Sequence, residues 1–170
     1  MMSENGQPAV QPKILMFRGG DWISWLVRVQ TRSPYSHTGL LRSCGCCVIE
    51  AYPGAGVRVR KLTEADWGRI DAFDVPSLSP AGWEVAEAFA LSQLGKSYDW
   101  RGVFRFVDKL PALHNDKWFC SEFVHGSIAQ GGVRLLERIE SEAVSPAMVP
   151  LSPLAVPVNG WTRPDPSSHL

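Results

Sequence analysis

The 170-residue chain has no excess of charge of either sign, with 17 Lys and Arg against 17 Asp and Glu. Proteins that grip a polyanion carry a basic face, and those drawn to acidic lipid carry a basic stripe, so no nucleic acid partner is expected. Long apolar runs are missing too. None approaches the ~20 residues that a bilayer-crossing helix needs, which argues against an integral membrane segment. The opening residues MMSENGQPAVQP lack the basic and apolar stretches of a secretory leader. The expected compartment is therefore the cytoplasm, with reduced thiols, unless lysis or an unusual export route releases the chain. Cysteine is scarce: Cys44, Cys46 and Cys47 crowd together and Cys120 stands alone, unlike the even spread of a disulfide scaffold. Neither G-x-x-x-x-G-K-[ST] nor G-x-G-x-x-G occurs, so no phosphate loop is expected. No internal repeat is present.

What remains is a chain that is 45% hydrophobic and 20% charged, long enough to bury a real core. Residues 1–12 read as a polar leader, 13–158 as one domain and 159–170 as a loose tail. Ile14–Phe17 reads as a buried strand ended by Arg18-Gly19-Gly20. Trp22, Trp25, Leu26 and Val29 form one helical stripe after Asp21, stopped at Ser33-Pro34. Strands are predicted at 37–42, 47–52, 56–62 and 70–75, the first pair joined by a turn around Ser43–Gly45. Ser79-Pro80 starts a helix that Gly95 ends. A second helix starts near Cys120 and closes at Gly131-Gly132. Six prolines after Ser145 exclude a helix and leave extended edge segments there.

A lone cysteine among apolar residues is ordinarily an inert core residue. Cys120, however, falls at a predicted helix start, where unpaired N–H groups favour a thiolate and face any oxyanion formed by its attack. A base for it is at hand in His37, at the opening of a strand and beside Gly39, which leaves room for a substrate. A base needs a third group to orient it. Across a hairpin whose loop holds an even number of residues, His37 faces residue 50 or residue 52, and either way Glu50 shares its face. An odd loop would place Glu50 on the other face, as a solvent-exposed carboxylate. His125 lies more than one turn beyond Cys120 and points away from it. His114 reads as a surface loop residue, and His169 lies in the tail. For Cys44, Cys46 and Cys47 a zinc reading wants four ligands in two pairs, and neighbouring strand residues face opposite sides, so they read as turn and strand residues with no metal.

In order, Gly20-Asp21, Tyr35-Ser36-His37-Thr38-Gly39, Val48-Ile49-Glu50-Ala51, Leu94-Gly95-Lys96-Ser97-Tyr98-Asp99 and Phe119-Cys120-Ser121-Glu122-Phe123-Val124 resemble a known family. It is the circularly permuted branch of the NlpC-type papain-like cysteine peptidases, the YiiX/YebB-like group, related to lecithin:retinol acyltransferase-like proteins. The resemblance spans about residues 14–150 and places histidine before cysteine, as the permuted members do. It implies an α+β papain-like fold, a small antiparallel sheet or barrel packed on the cysteine helix. It also implies Cys120 as nucleophile, His37 as base and Glu50 as its orienting partner, with no cofactor. Tyr35, Ser36, Tyr98 and Asp99 are the expected pocket residues. The activity so implied is an amidase or peptidase working through an acyl-enzyme on small, cell-wall-type peptides. Its rivals are a lipid acyl hydrolase or acyltransferase with the same residues, and a non-catalytic binding module.

Overall fold

Ile14-Leu15-Met16-Phe17 is apolar at every position, which suits a strand whose two faces are both covered. That is where it lies. The computed structural model describes residues 12–19, 28–29, 31–100 and 117–161. Strand β1 (Ile14–Phe17) is inside the sheet, paired with β2 (His37–Leu41) on one side and β5 (Ile70–Asp74) on the other. β3 (Cys47–Tyr52) and β4 (Gly56–Lys61) extend the sheet from β2, and Val156–Pro157 (β6) pairs with β5. The result is a six-stranded antiparallel sheet in the order β4-β3-β2-β1-β5-β6, with few helices.

Side chains alternate across a strand, so the sheet divides the interior into two layers. Ile14, Met16, Leu40, Ile49, Ala51 and Phe73 face the helices α2 (Pro80–Ser92) and α3 (Cys120–Gln130). Leu15, Phe17, Leu41, Val48, Ile70 and Ala72 face the other way. There they are covered by Leu62, by Trp67 of the one-turn helix α1 (Glu64–Trp67), and by Val158 and Trp161 near the described chain end. At ~1.5–3 kcal/mol per buried large apolar side chain, the helix layer carries most of the stabilisation.

The expected helix starts hold. Ser79 accepts a hydrogen bond from the Gly82 N–H at 3.1 Å, with Pro80 at the first helical position. Cys120 is the first residue of α3, and the Glu122 carboxylate reaches back to the Phe119 N–H at 3.2 Å. The α2 helix stops at Ser92, three residues before Gly95, whose φ of +82° turns the chain out. In the proline-rich stretch Val149–Leu151 forms a 3-10 turn, with Pro150 in its first turn, where no N–H is needed. Among the described residues of that stretch, only Val156–Pro157 is an edge strand. The leader, the stripe from Trp22 to Leu26, His114 and His169 lie outside the described residues.

Two glycines let α2 and α3 meet. A Cβ on Gly82 would come to 2.6 Å from the Gly131 carbonyl oxygen, and one on Gly131 to 2.4 Å from that of Gly82. Overpacking of this kind costs about 1–3 kcal/mol. Gly82→Ala is therefore expected to lose that much stability in urea unfolding, and an unchanged midpoint would show that the contact is not tight.

Candidate active site

The β2–β3 hairpin decides whether His37 and Glu50 meet. Its ladder pairs Leu40 with Ile49 and Leu41 with Val48, and the Arg42 N–H bonds the Cys47 carbonyl at 2.9 Å. The loop is thus the four residues 43–46, longer than a tight two-residue turn but still even. Extending this register puts Tyr52 opposite His37 and Glu50 opposite Gly39, so histidine and glutamate share a face one diagonal step apart. Gly39 is needed here for a different reason from the one expected. A Cβ on it would lie 2.6 Å from Val48 Cγ2 and 3.3 Å from Glu50 Cβ, so the room it leaves is filled by β3 rather than by a substrate.

His37 Nε2 donates to Glu50 Oε2 at 2.9 Å. Glu50 is fully buried, and its other oxygen is fully used as well. Oε1 accepts from Arg58 Nε at 3.0 Å and Nη2 at 2.8 Å, and from Arg60 Nε at 3.0 Å. Arg60 continues to Asp66 with bonds of 2.7 and 3.0 Å. Arg58 pairs directly across from Glu50 in the β3–β4 ladder, and Arg60 lies two residues on, on the same face. Sequence alternation marks these arginines only as polar positions beside Val57 and Val59; a buried carboxylate on the facing strand was the signal that could have singled them out.

The imidazole is also walled by rings. Phe17 lies 5.3 Å and Tyr52 5.6 Å from it between centroids. Arg58 sits 4.1 Å over the Tyr52 ring and Arg60 5.6 Å over Phe17. The cations that bind Glu50 thus also brace the two walls of His37.

Cys120 reaches this imidazole from the helix layer. It lies close enough to His37 to raise the pKa of the imidazole. With Nε2 committed to Glu50, Nδ1 is the ring nitrogen left for sulfur. The meeting is possible because His37 is the first residue of β2, at the rim of the sheet. Burial alone would lower the pKa of His37, but the hydrogen bonds and charges of Cys120 and Glu50 outweigh it and raise it to about 9. Burial would raise that of Glu50, but His37, Arg60 and Arg58 bring it down to about 2. Glu50 is therefore ionised at neutral pH, and His37 is a strong proton acceptor beside Cys120.

The remaining predicted site residues divide. Tyr98 is buried, with rings of Trp100 at 5.4 Å and Phe119 at 5.9 Å. Burial, then the charges of Cys120, Asp99 and Tyr52, push its phenol well above the ordinary range. Tyr98 forms a parallel bridge with Trp118, and the buried Asp99 donates its N–H to the Trp118 carbonyl at 3.0 Å. This stitching sets the approach to Cys120. Beside Tyr98 opens a cavity of about 400 Å³ that Lys96, Ser97, Trp100 and Lys117 also line. Tyr35 and Ser36 are instead tied to the middle of the sheet. The Tyr35 hydroxyl donates to Asp71 at 2.8 Å, and Ser36 Oγ accepts from the Gly19 N–H at 3.0 Å. His125 is buried in α3, bonded to Ser141 Oγ at 2.8 Å and approached by the Leu136 N–H at 3.4 Å.

No family model matches the chain, and no curated protein matches it. Solved structures do. The crystal structure of metalloprotein YiiX from Escherichia coli O157:H7, DUF1105, superposes with a TM-score of 0.69 at 22% sequence identity. The match covers 89% of this chain and 97% of that one. The fold is YiiX-like. At that identity the likeness concerns the fold alone. YiiX is described as a metalloprotein; here the His37–Glu50–Cys120 group is a poor metal site. Nε2 and Oε2 are spent on each other, and Oε1 is held by two guanidiniums.

Two outcomes follow. Removing one member of a buried ion cluster leaves the others uncompensated, at a cost of about 3–5 kcal/mol. Glu50→Ala is expected to lose that amount in urea unfolding, and a loss under 1 kcal/mol would contradict the cluster. The second concerns pH. His37 has its pKa raised from 6.5 to about 9 on folding, so its contribution is complete below about 6.5 and disappears as pH rises through about 9. Glu50, lowered from 4.5 to about 2, contributes fully above about 4.5 and loses this as pH falls through about 2. The stability gap between wild type and His37→Gln should be constant between about pH 4.5 and 6.5 and close toward pH 10; a gap that widens with pH would refute the assignment.

Proposed function

We propose that the protein is a thiol hydrolase of the permuted NlpC-type, papain-like kind, cleaving amide bonds in small peptides of the cell-wall type. One arrangement carries this reading: the imidazole that bonds the buried Glu50 carboxylate is also close enough to Cys120, at the first position of α3, for that side chain to raise its pKa.

In this mechanism the Cys120 proton passes to His37 Nδ1 and the sulfur attacks the substrate carbonyl carbon. The first-turn N–H groups of α3, which have no acceptor within the helix, stabilise the oxyanion. Collapse breaks the C–N bond as the imidazolium proton moves to the departing amine, leaving a thioester on Cys120. Water then attacks that thioester, giving a proton to His37, and the acid leaves as the proton returns to sulfur. Glu50 keeps the ring oriented throughout.

The test is alkylation by iodoacetamide, read peptide by peptide because Cys44 and Cys46 are exposed and react as well. General base assistance is worth roughly 10²–10⁴-fold, so His37→Ala should slow labelling of Cys120 by at least 100-fold. Labelling of Cys120 at the same rate in wild type and His37→Ala would end the proposal. Amine release from a muropeptide, abolished in Cys120→Ala, is the expected activity; fatty acid release from phospholipid vesicles in its place would transfer the same residues to lipid chemistry.

A further inference from the structure

The three clustered cysteines lie at the opposite end of the β2–β3 hairpin from His37, with the six residues of β3 between, roughly 20 Å of strand. Reading them as neighbours on a strand would aim Cys46 and Cys47 to opposite sides. The structure corrects this. Cys46 belongs to the turn, strand alternation starts only at Cys47, and the two sulfurs stand 3.7 Å apart. Cys44 Sγ is 3.5 Å from Cys46 Sγ, and all three sulfurs lie within 4.8 Å of one another.

Those separations are too long for a disulfide, at about 2.05 Å. They match the edges of a metal–thiolate polyhedron. With metal–sulfur bonds of about 2.3 Å, sulfurs around one ion stand about 3.8 Å apart in a tetrahedron and about 4.0 Å apart in a trigonal plane. The turn is organised around this arrangement. Gly45 takes φ +70°, and its N–H bonds the Arg42 carbonyl at 2.9 Å. The Cys46 carbonyl accepts from the Leu62 N–H at 2.8 Å, fixing the turn to the end of β4. Lys61 pairs with Cys47 in the β3–β4 ladder, and the Arg42 N–H closes the turn on the Cys47 carbonyl.

We propose that Cys44, Cys46 and Cys47 form a binding site for one soft, thiophilic metal ion, and that the ion is Cu(I). The donor count decides the metal. Among the described residues no His, Asp or Glu joins the three sulfurs as a fourth ligand. Structural Zn(II) sites want four protein ligands, whereas three thiolates complete a trigonal Cu(I) site. Binding exchanges three S–H protons for three Cu–S bonds, with no change of oxidation state. The resulting anionic cluster lies beside Arg42 and Lys61. Cys44 and Cys46 are exposed, so the ion enters directly from solvent.

The site stands apart from the proposed hydrolase chemistry, and so does its test. Reduced, metal-free protein is titrated anaerobically with Cu(I) in competition with bicinchoninate, and the copper-loaded protein is examined by X-ray absorption. Wild type is expected to hold one Cu(I) per chain with three Cu–S bonds. Cys46→Ser should weaken binding at least 100-fold, and the triple Cys44→Ser/Cys46→Ser/Cys47→Ser chain should lose it. Gly45→Val, which keeps every sulfur but strains the turn, should weaken binding at least 10-fold, while Cys120→Ser should leave it unchanged. Circular dichroism checks that each variant folds, as an exposed turn predicts. Failure of the wild type to withhold Cu(I) from bicinchoninate, retention by the triple variant, or dependence on Cys120 would each overturn the proposal. So would retention of Zn(II) by a chain that does not take Cu(I).

Discussion

A carboxylate with no exposure to solvent has to be supplied with hydrogen-bond donors, and much of this structure follows from meeting that need at Glu50. Four N–H groups are brought to it from two neighbouring strands. The supply fixes the register of β2, β3 and β4 together. A slip of one residue in either ladder would turn a donor strand's side chains to the opposite face and leave the charge buried alone. The glycine opposite Glu50, the aromatic walls of His37 and the coupling of Arg60 to Asp66 are all arranged about the same point.

The cluster sits on the smaller layer of the sheet, whereas the cysteine arrives from the larger one. Joining two layers through a sheet is ordinarily impossible, since the ladder itself separates them. Placing His37 at the first residue of β2 solves this at the rim, where α3 can present its first turn. Hence the α2–α3 packing matters to the site although it lies far from it. The close approach of Gly82 and Gly131 helps set where the start of α3 falls, and the Tyr98–Trp118 bridge holds the chain just before it.

The parts of this arrangement visible in the sequence are those encoded by local rules. Short strand runs and turn signals located β2 through β5, Ser79-Pro80 marked a helix start, and an even hairpin loop, one of the two parities open to the sequence, puts His37 and Glu50 on one face. The rest depends on long side chains and on distant pairing. Arg58 and Arg60 alternate with valines as any half-exposed strand does, and nothing local says that their guanidiniums turn inward. The place of β1 between β2 and β5 follows from its uninterrupted apolarity only once the partners are known. The helix α1 carries too short an apolar pattern to be seen, although Thr63 and Asp66 cap it. Tyr35 and Ser36 show the reverse case: residues next to a histidine in sequence whose polar atoms are spent on β1 and β5.

The two ends of the β2–β3 hairpin show how one side-chain chemistry is directed by its surroundings. At the open end a single thiol is buried near one imidazole, the setting that the proposed nucleophile needs. At the turn three thiols face each other, two of them exposed to solvent, with Lys61 paired to the third across the ladder. A nucleophile is useful when it is alone and aimed; a soft-metal ligand is useful when it has company at the spacing a metal imposes. The first setting gathers partners for one sulfur from β2 and α3. The second gathers three sulfurs within four residues. That difference, rather than the count of cysteines, separates the chemistry proposed for Cys120 from that proposed for Cys44, Cys46 and Cys47.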